Sequence, residues 1–230
     1  MPDPSSPLVA EAFEATGGGN NGYDESGWTE DTGAGSTTDQ DYTGTVLHGT
    51  QSLRLVAAGG EQSRIYKDFT GGNERWAYFL FRLVTFPAVG NWSIMSFWDS
   101  GFGVPLELLL NSGGTLTVQS GTGNATTVST MAAGNTYHVW IHYNNTSNTA
   151  DVGFSTDGVR PTGGNAFAQT ASSSASTDGS KIVIGGGTSD ATHEGVFDRV
   201  FVDDEQIGDM TAGGGGSRRP STRTLTGVGR

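Results

Sequence analysis

Residues Arg75 to Phe86 read RWAYFLFRLVTF, and this stretch decides the fold. In an extended chain successive side chains point to opposite faces. Ala77, Phe79, Phe81 and Leu83 therefore share one face, and Trp76, Tyr78, Leu80, Val84 and Phe86 share the other. Both faces are apolar, which predicts a central strand covered on both sides. Tyr137 to Tyr143, YHVWIHY, is the second clear strand. It sets Tyr137, Val139, Ile141 and Tyr143 on one face and His138, Trp140 and His142 on the other.

Outward from these two, apolar residues come in short runs separated by glycine-rich punctuation. Further strands are expected around 11–15, 45–56, 63–69, 93–98, 104–110, 115–119, 125–130, 149–155, 165–170, 181–185 and 196–203. The breaks carry turn chemistry, as at Asn111-Ser-Gly-Gly, Asp157-Gly158 and Asp178-Gly179. Many short strands at near-regular spacing predict an all-β fold: a two-sheet antiparallel β-sandwich of the jelly-roll kind, with extended terminal arms. The lack of an internal repeat argues against a propeller or β-helix.

Composition narrows the reading. The chain has 230 residues, of which 37 are glycine, and no cysteine. Disulfide scaffolds and cysteine zinc sites are therefore excluded. No apolar run is long enough for a membrane-spanning helix. The net charge of −12 argues against binding nucleic acid through the whole body. That charge is uneven: residues 1–42 hold nine acids and no base, and residues 213–230 hold four arginines and no acid. The organisation expected is an N-terminal arm over 1–10, a sandwich over 11–210 and a Gly/Arg-rich docking arm over 211–230, with the glycines of 17–35 and 213–216 loose. The start, Met1-Pro2-Asp3-Pro4, lacks the basic and apolar regions of a signal peptide, so manufacture in a host cytoplasm is expected.

Several segments resemble a known family. They are Phe13-Glu14, a Gly/Asn/Asp loop with Trp28, Ser52-Leu53-Arg54-Leu55, Thr136-Tyr137-His138-Val139-Trp140-Ile141, Asp157-Gly158 and Phe197-Asp198-Arg199-Val200-Phe201-Val202-Asp203. The strand at 136–141 is similar to one in laminin G-like domains. The span of roughly 11–208 resembles the concanavalin A-like lectin/glucanase jelly roll. The resemblance implies sugar-binding modules, polysaccharide-active enzymes or accessory parts of bacteriophage particles. It also implies one structural Ca²⁺ tying first and last strands, with Glu14, Asp24 and Asp198 as ligands and Asn21 or carbonyls of the 17–31 loop completing the shell.

The residues weigh these readings differently. The glucanases' Glu-x-Asp-x-x-Glu pattern is absent, as are the lyases' motifs, a Gly-x-Ser-x-Gly elbow and a phosphate loop. The acids Asp203-Asp204-Glu205 read as a solvated turn, and no catalytic residue is assigned. His138 and His142 with Glu107 are the only candidates for an imitation acid–base set. Sugars stack on exposed aromatics while polar groups fix their hydroxyls. Trp28, Trp92, Trp98, Trp140 and Tyr143 are aromatic candidates, whereas Trp76 is expected in the core. The sugar-binding set expected is Trp92, Trp98, His138, Trp140 and His142. Arg218, Arg219, Arg223 and Arg230 are expected to dock on an acidic partner.

The leading expectation is a non-catalytic structural or decorating subunit of a larger assembly. A bacteriophage virion is the assembly favoured, with the chain as a capsid-decoration or fibre-type protein docked through its termini. The alternative is a lectin-like carbohydrate-binding module, and a polysaccharide lyase or glucanase comes third. The partners expected are neighbouring subunits, with a homo-oligomer closed by symmetry, and surface glycans, with no nucleic acid and no membrane.

Overall fold

A computed structural model of the chain describes residues 3, 4, 6–14, 27–101, 103–120, 124–147, 149–163, 167–170, 179–186 and 192–211. Among the described residues there are fifteen strands and no helix. In chain order they are β1 (Val9–Glu11), β2 (Trp28–Thr32), β3 (Thr37–Tyr42), β4 (Ser52–Ala57), β5 (Ser63–Gly72), β6 (Glu74–Thr85), β7 (Asn91–Trp98), β8 (Leu106–Asn111), β9 (Thr115–Ser120), β10 (Asn124–Thr130), β11 (Thr136–Asn144), β12 (Thr149–Ser155), β13 (Phe167–Thr170), β14 (Gly179–Gly185) and β15 (His193–Asp203).

They form two antiparallel sheets. The eight-stranded sheet runs β13-β12-β11-β6-β15-β4-β3, with β1 also paired to β15. The seven-stranded sheet runs β10-β9-β8-β7-β14-β5-β2. The sandwich expected from the strand pattern is the fold observed. RWAYFLFRLVTF lies in β6 except for its last residue, Phe86, and β6 is placed between β11 and β15. The core lies between the sheets and takes alternate residues from each: Phe79, Phe81 and Leu83 from β6, Val139 and Ile141 from β11, Leu106, Leu108 and Leu110 from β8, and Ile182 and Ile184 from β14. Burying one such side chain is worth about 1.5–3 kcal/mol.

The other face of β6 is also buried, for a different reason. Tyr78 and Leu80 join Trp140, Phe201, Ile207 and Met210 in a second cluster. This cluster lies on the outer face of the eight-stranded sheet, because Val139 and Ile141 on either side of Trp140 point into the core. Ile207 and Met210 come from the stretch after β15, which folds back as a strap over that face.

Most expected strands shift by a few residues, and the larger differences from the sequence reading are these. The strand expected at 11–15 is β1, which begins at Val9 inside the expected arm and ends before Phe13, a non-glycine residue at φ 52°. The strand expected over 45–56 starts only at Ser52. β2 and β3 were not expected, since WTEDT and TTDQDY are acidic and carry few apolar residues. Both are edge strands with one neighbour each, and edges tolerate such composition.

Candidate functional site

Each sheet has one outer face, and the two differ in what covers them. On the eight-stranded sheet, Trp140 is only 1% exposed and its indole N–H donates to the Gly208 carbonyl at 3.0 Å. The Met210 amide donates to the Gly158 carbonyl at 2.7 Å, and the Arg160 amide to Asp209 Oδ1 at 2.9 Å. Gly158 lies at φ 81°, and a Cβ there would meet the Met210 carbonyl at 2.7 Å, so Asp157-Gly158 is the turn that admits the strap. His142 is enclosed: Nδ1 faces Asp151 Oδ2 at 3.0 Å, Nε2 faces Glu74 Oε1 at 2.8 Å, and Trp76 stacks on the ring at 3.7 Å. The Arg160 guanidinium caps Trp76 at 4.6 Å. His138 Nδ1 meets the Tyr78 hydroxyl at 2.8 Å, and burial holds its pKa below the usual histidine value.

These placements correct several expectations. Trp140 and His142 share a face with His138, as the alternation required, but the strap and Trp76 leave no ring face of Trp140 or His142 for a sugar. Trp92 is 1% exposed and sits between the sheets against Phe81 and Phe197. Trp28 and Tyr143 are likewise core residues, with the Trp28 indole N–H donating to Glu11 Oε2. The imitation acid–base set does not assemble. Glu107 lies on β8 between core-facing Leu106 and Leu108, so it faces out from the opposite sheet to His138 and His142. Trp76 is half-buried on the outer face rather than in the central core.

The seven-stranded sheet presents a different surface. Cross-strand register places Gln119 beside Glu107, Glu107 beside Ser96, Ser96 beside Val183, Val183 beside Tyr66 and Tyr66 beside Thr29. This row crosses six adjacent strands, about 24 Å at the usual spacing of about 4.8 Å. One step along, Trp98 pairs with Lys181 and Lys181 with Asp68. Trp98 and Tyr66 are half-buried and stack with centroids 6.3 Å apart and planes at 26°. They cover Val183, which explains its burial on an outward face. Arg64 lies 4.9 Å over the Trp98 ring, and Lys181 Nζ lies 4.5 Å over Tyr66. The Arg64 guanidinium also bonds Asp31, Lys181 Nζ bonds Asp68 at 2.7 Å, and Gln62 donates to the other Asp31 oxygen at 2.6 Å. The result is an outward-facing aromatic pair with a cation over one face of each ring, so a sugar's C–H face can meet only what those cations leave open. Of the expected sugar-binding residues, Trp98 alone lies here. Tyr66 was missed, because SRIYKDF gives no sign that β14 will bring it to a tryptophan 32 positions away.

Glu14 and Asp198 do converge, on the loop before β4. Glu14 accepts from the Thr50 amide at 3.0 Å and from the Thr50 hydroxyl. A Cβ on Gly49, at φ 70°, would lie 1.7 Å from Glu14 Oε1, so only glycine leaves room for this carboxylate. Asp198 Oδ2 accepts from the His48 amide at 2.8 Å and the Ser52 hydroxyl at 2.9 Å, and Oδ1 accepts from the Arg199 amide. Burial pushes the Asp198 carboxyl up to about 7; the three hydrogen bonds oppose this and the charge of Glu14 adds to it. Desolvation also acts to raise Glu14, but the bonds from Thr50 and Gln51 outweigh it and hold the group below the usual carboxylate value. Arg199, at φ 48°, forms the bulge in β15 that turns Asp198 toward this loop. Asp198 is buried and Glu14 is exposed, so the two carboxylates meet at the edge of the fold. Calcium needs six to eight oxygens, and among the described residues no group of three or more His, Cys, Asp or Glu is placed to hold a metal. Asp24 and Asn21, the further ligands expected, lie outside the described residues, as do Arg218, Arg219, Arg223 and Arg230.

With the fold and its two faces defined, comparison with known proteins adds the class. No family profile matches the chain, and no curated protein matches it. Among solved structures, the cellulose-induced protein Cip1 is similar over 87% of this chain and 99% of its own, at 15% identity and a TM-score of 0.62. A sialidase is similar over 78% of this chain at 13% identity and a TM-score of 0.61, and the chain spans only 17% of that protein. Botulinum neurotoxin type C, a protein that interacts with two ganglioside molecules, is similar over 88% of this chain and 48% of its own, at 7% identity and a TM-score of 0.57. At such identities the likeness is one of fold. The chain has the jelly-roll fold of the concanavalin A-like kind that these structures share.

Proposed function

We propose that the chain is a non-catalytic carbohydrate-binding module and that its ligand lies on the outer face of the seven-stranded sheet. The observation that carries this reading is the half-exposed Trp98–Tyr66 pair beside Ser96, Glu107 and Gln119, on the face the strap does not cover. The similarity to a ganglioside-interacting neurotoxin and to part of a sialidase supports glycan binding over a purely structural role. The non-catalytic part rests on Glu107. Among the described residues of this face it is the carboxylate without an ion pair, since Asp31 and Asp68 are tied to Arg64 and Lys181, and glycoside hydrolysis needs two.

Affinity electrophoresis and a glycan array test the site. Trp98→Ala is expected to weaken binding at least tenfold with unchanged melting, and Tyr66→Ala to do the same. Full binding by Trp98→Ala refutes the assignment. Release of reducing ends or unsaturated sugars from a bound polysaccharide refutes the non-catalytic part. A structural Ca²⁺ held by Glu14 and Asp198 is part of the proposal. Docking into a larger assembly through Arg218, Arg219, Arg223 and Arg230 is compatible with it, but those residues lie outside the described structure.

A further inference from the structure

We infer that the ligand is a neutral polysaccharide chain running across the strands, rather than an acidic glycan or a single sugar; this rests on the carbohydrate-binding reading above. The charges on the face lead to it. Its two cations are already committed: Arg64 to Asp31 and the face of Trp98, and Lys181 to Asp68 and the face of Tyr66. The Lys181 side chain is only 9% exposed, so its ammonium cannot turn outward without leaving both partners. A uronate or sulfate arriving here would have to break a formed ion pair to be received. The uncommitted groups are of the opposite kind. Glu107 and Gln119 are half-buried and make no side-chain hydrogen bond with another described residue, whereas Ser96 between them and Val183 is buried. Glu107 and Gln119 offer a carboxylate and an amide, a pair that bonds hydroxyl groups, and the Glu107 charge repels an anion. Counting Arg64, Lys181, Asp31, Asp68 and Glu107, the face sums to −1 within a chain of net charge −12.

Length supplies the second half of the inference. From Gln119 on β9 to Tyr66 on β5 the row spans four strand spacings, about 19 Å, with Trp98 on β7 midway, two strands from each end. One hexose on Trp98 does not reach Gln119, so a ligand that meets both ends is a chain of several sugars.

The test is binding of the full chain to soluble mixed-linkage β-glucan, xylan and galactomannan against alginate and polygalacturonate, by affinity electrophoresis and calorimetry. Binding to at least one neutral polymer, little changed between low and high salt, is expected, with none to the acidic polymers. Glu107→Ala is expected to weaken neutral binding about tenfold, the scale of a lost hydrogen bond to a charged group. Asp31→Asn and Asp68→Asn release the cations and are expected to bring salt-sensitive binding of alginate, with melting followed to confirm folding. Binding of acidic but not neutral polymers by the unmodified chain overturns this inference and leaves the carbohydrate-binding reading standing. Binding to neither, with a blank array, overturns both. Equal binding of a monosaccharide and its oligomers overturns the chain-length part.

Discussion

Ile207 and Met210 are the apolar anchors of the strap, with exposures of 4% and 2%. Replacing both by alanine removes three heavy atoms from each side chain. At about 0.8 kcal/mol per buried methylene-sized group the six removed amount to about 5 kcal/mol. Residual compactness of the unfolded chain trims this to roughly 3–4 kcal/mol. The strap lies at the surface, so water can fill the space, and a large cavity penalty is not added. For a domain of this length the corresponding drop in Tm is on the order of 10 °C. Trp140 reports the same event, because its indole loses both its cover and the Gly208 carbonyl. Urea denaturation and tryptophan emission are the assays: a loss near 3 kcal/mol and a red-shifted native spectrum are expected. Glycan binding should be unaffected, since the strap and the Trp98 platform lie on opposite outer faces. A loss under about 1 kcal/mol with an unshifted spectrum refutes the strap's role as the cover of this face. Impaired glycan binding in a folded variant refutes the separation of the two faces.

Two further predictions concern the loop before β4. The raised Asp198 pKa means that the folded protein keeps a proton which the unfolded chain, with an ordinary aspartate, has released. This contribution to stability is full below about pH 4, shrinks as pH rises toward 7 and is absent above it, at a slope on the order of 1 kcal/mol per pH unit. His48 and His138 act in the opposite sense below about pH 6.5, because burial lowers both, so the aspartate is isolated by comparison with Asp198→Asn in calcium-free buffer. The stability difference between the two proteins should shift in the wild type's favour as pH falls from 8 to 5; a pH-independent difference refutes the assignment. For the cation, chelation with EDTA should lower Tm and excess Ca²⁺ restore it, because a ligand of the native state stabilises by mass action. An unchanged melt removes Glu14 and Asp198 from the metal site.

Much of the strand content was legible because the side-chain period of a strand is local. RWAYFLFRLVTF announced a strand apolar on both faces, and β6 is covered by the core on one side and the strap on the other. YHVWIHY announced that His138, Trp140 and His142 share a face, and they do. The edge strands β2 and β3 were silent because an edge asks little of its residues. The convergence of Glu14 with Asp198 was legible only through resemblance, since 184 positions separate them and a bulge at Arg199 aims the second toward the first.

What no local pattern carries is exposure. Trp92, Trp98 and Trp140 look alike in sequence, each in an apolar strand, yet they lie in the core, on an open face and under a strap. Those fates are set by which sheet a strand joins and by what folds back over it. Most of the strands, the sandwich and the sharing of faces were legible in the chain alone, because alternation depends on neighbours two residues apart; β2 and β3 were the exceptions. The tertiary structure decided which aromatics are available, because that depends on Gly208 meeting Trp140 across 68 positions and on β14 setting Tyr66 beside Trp98.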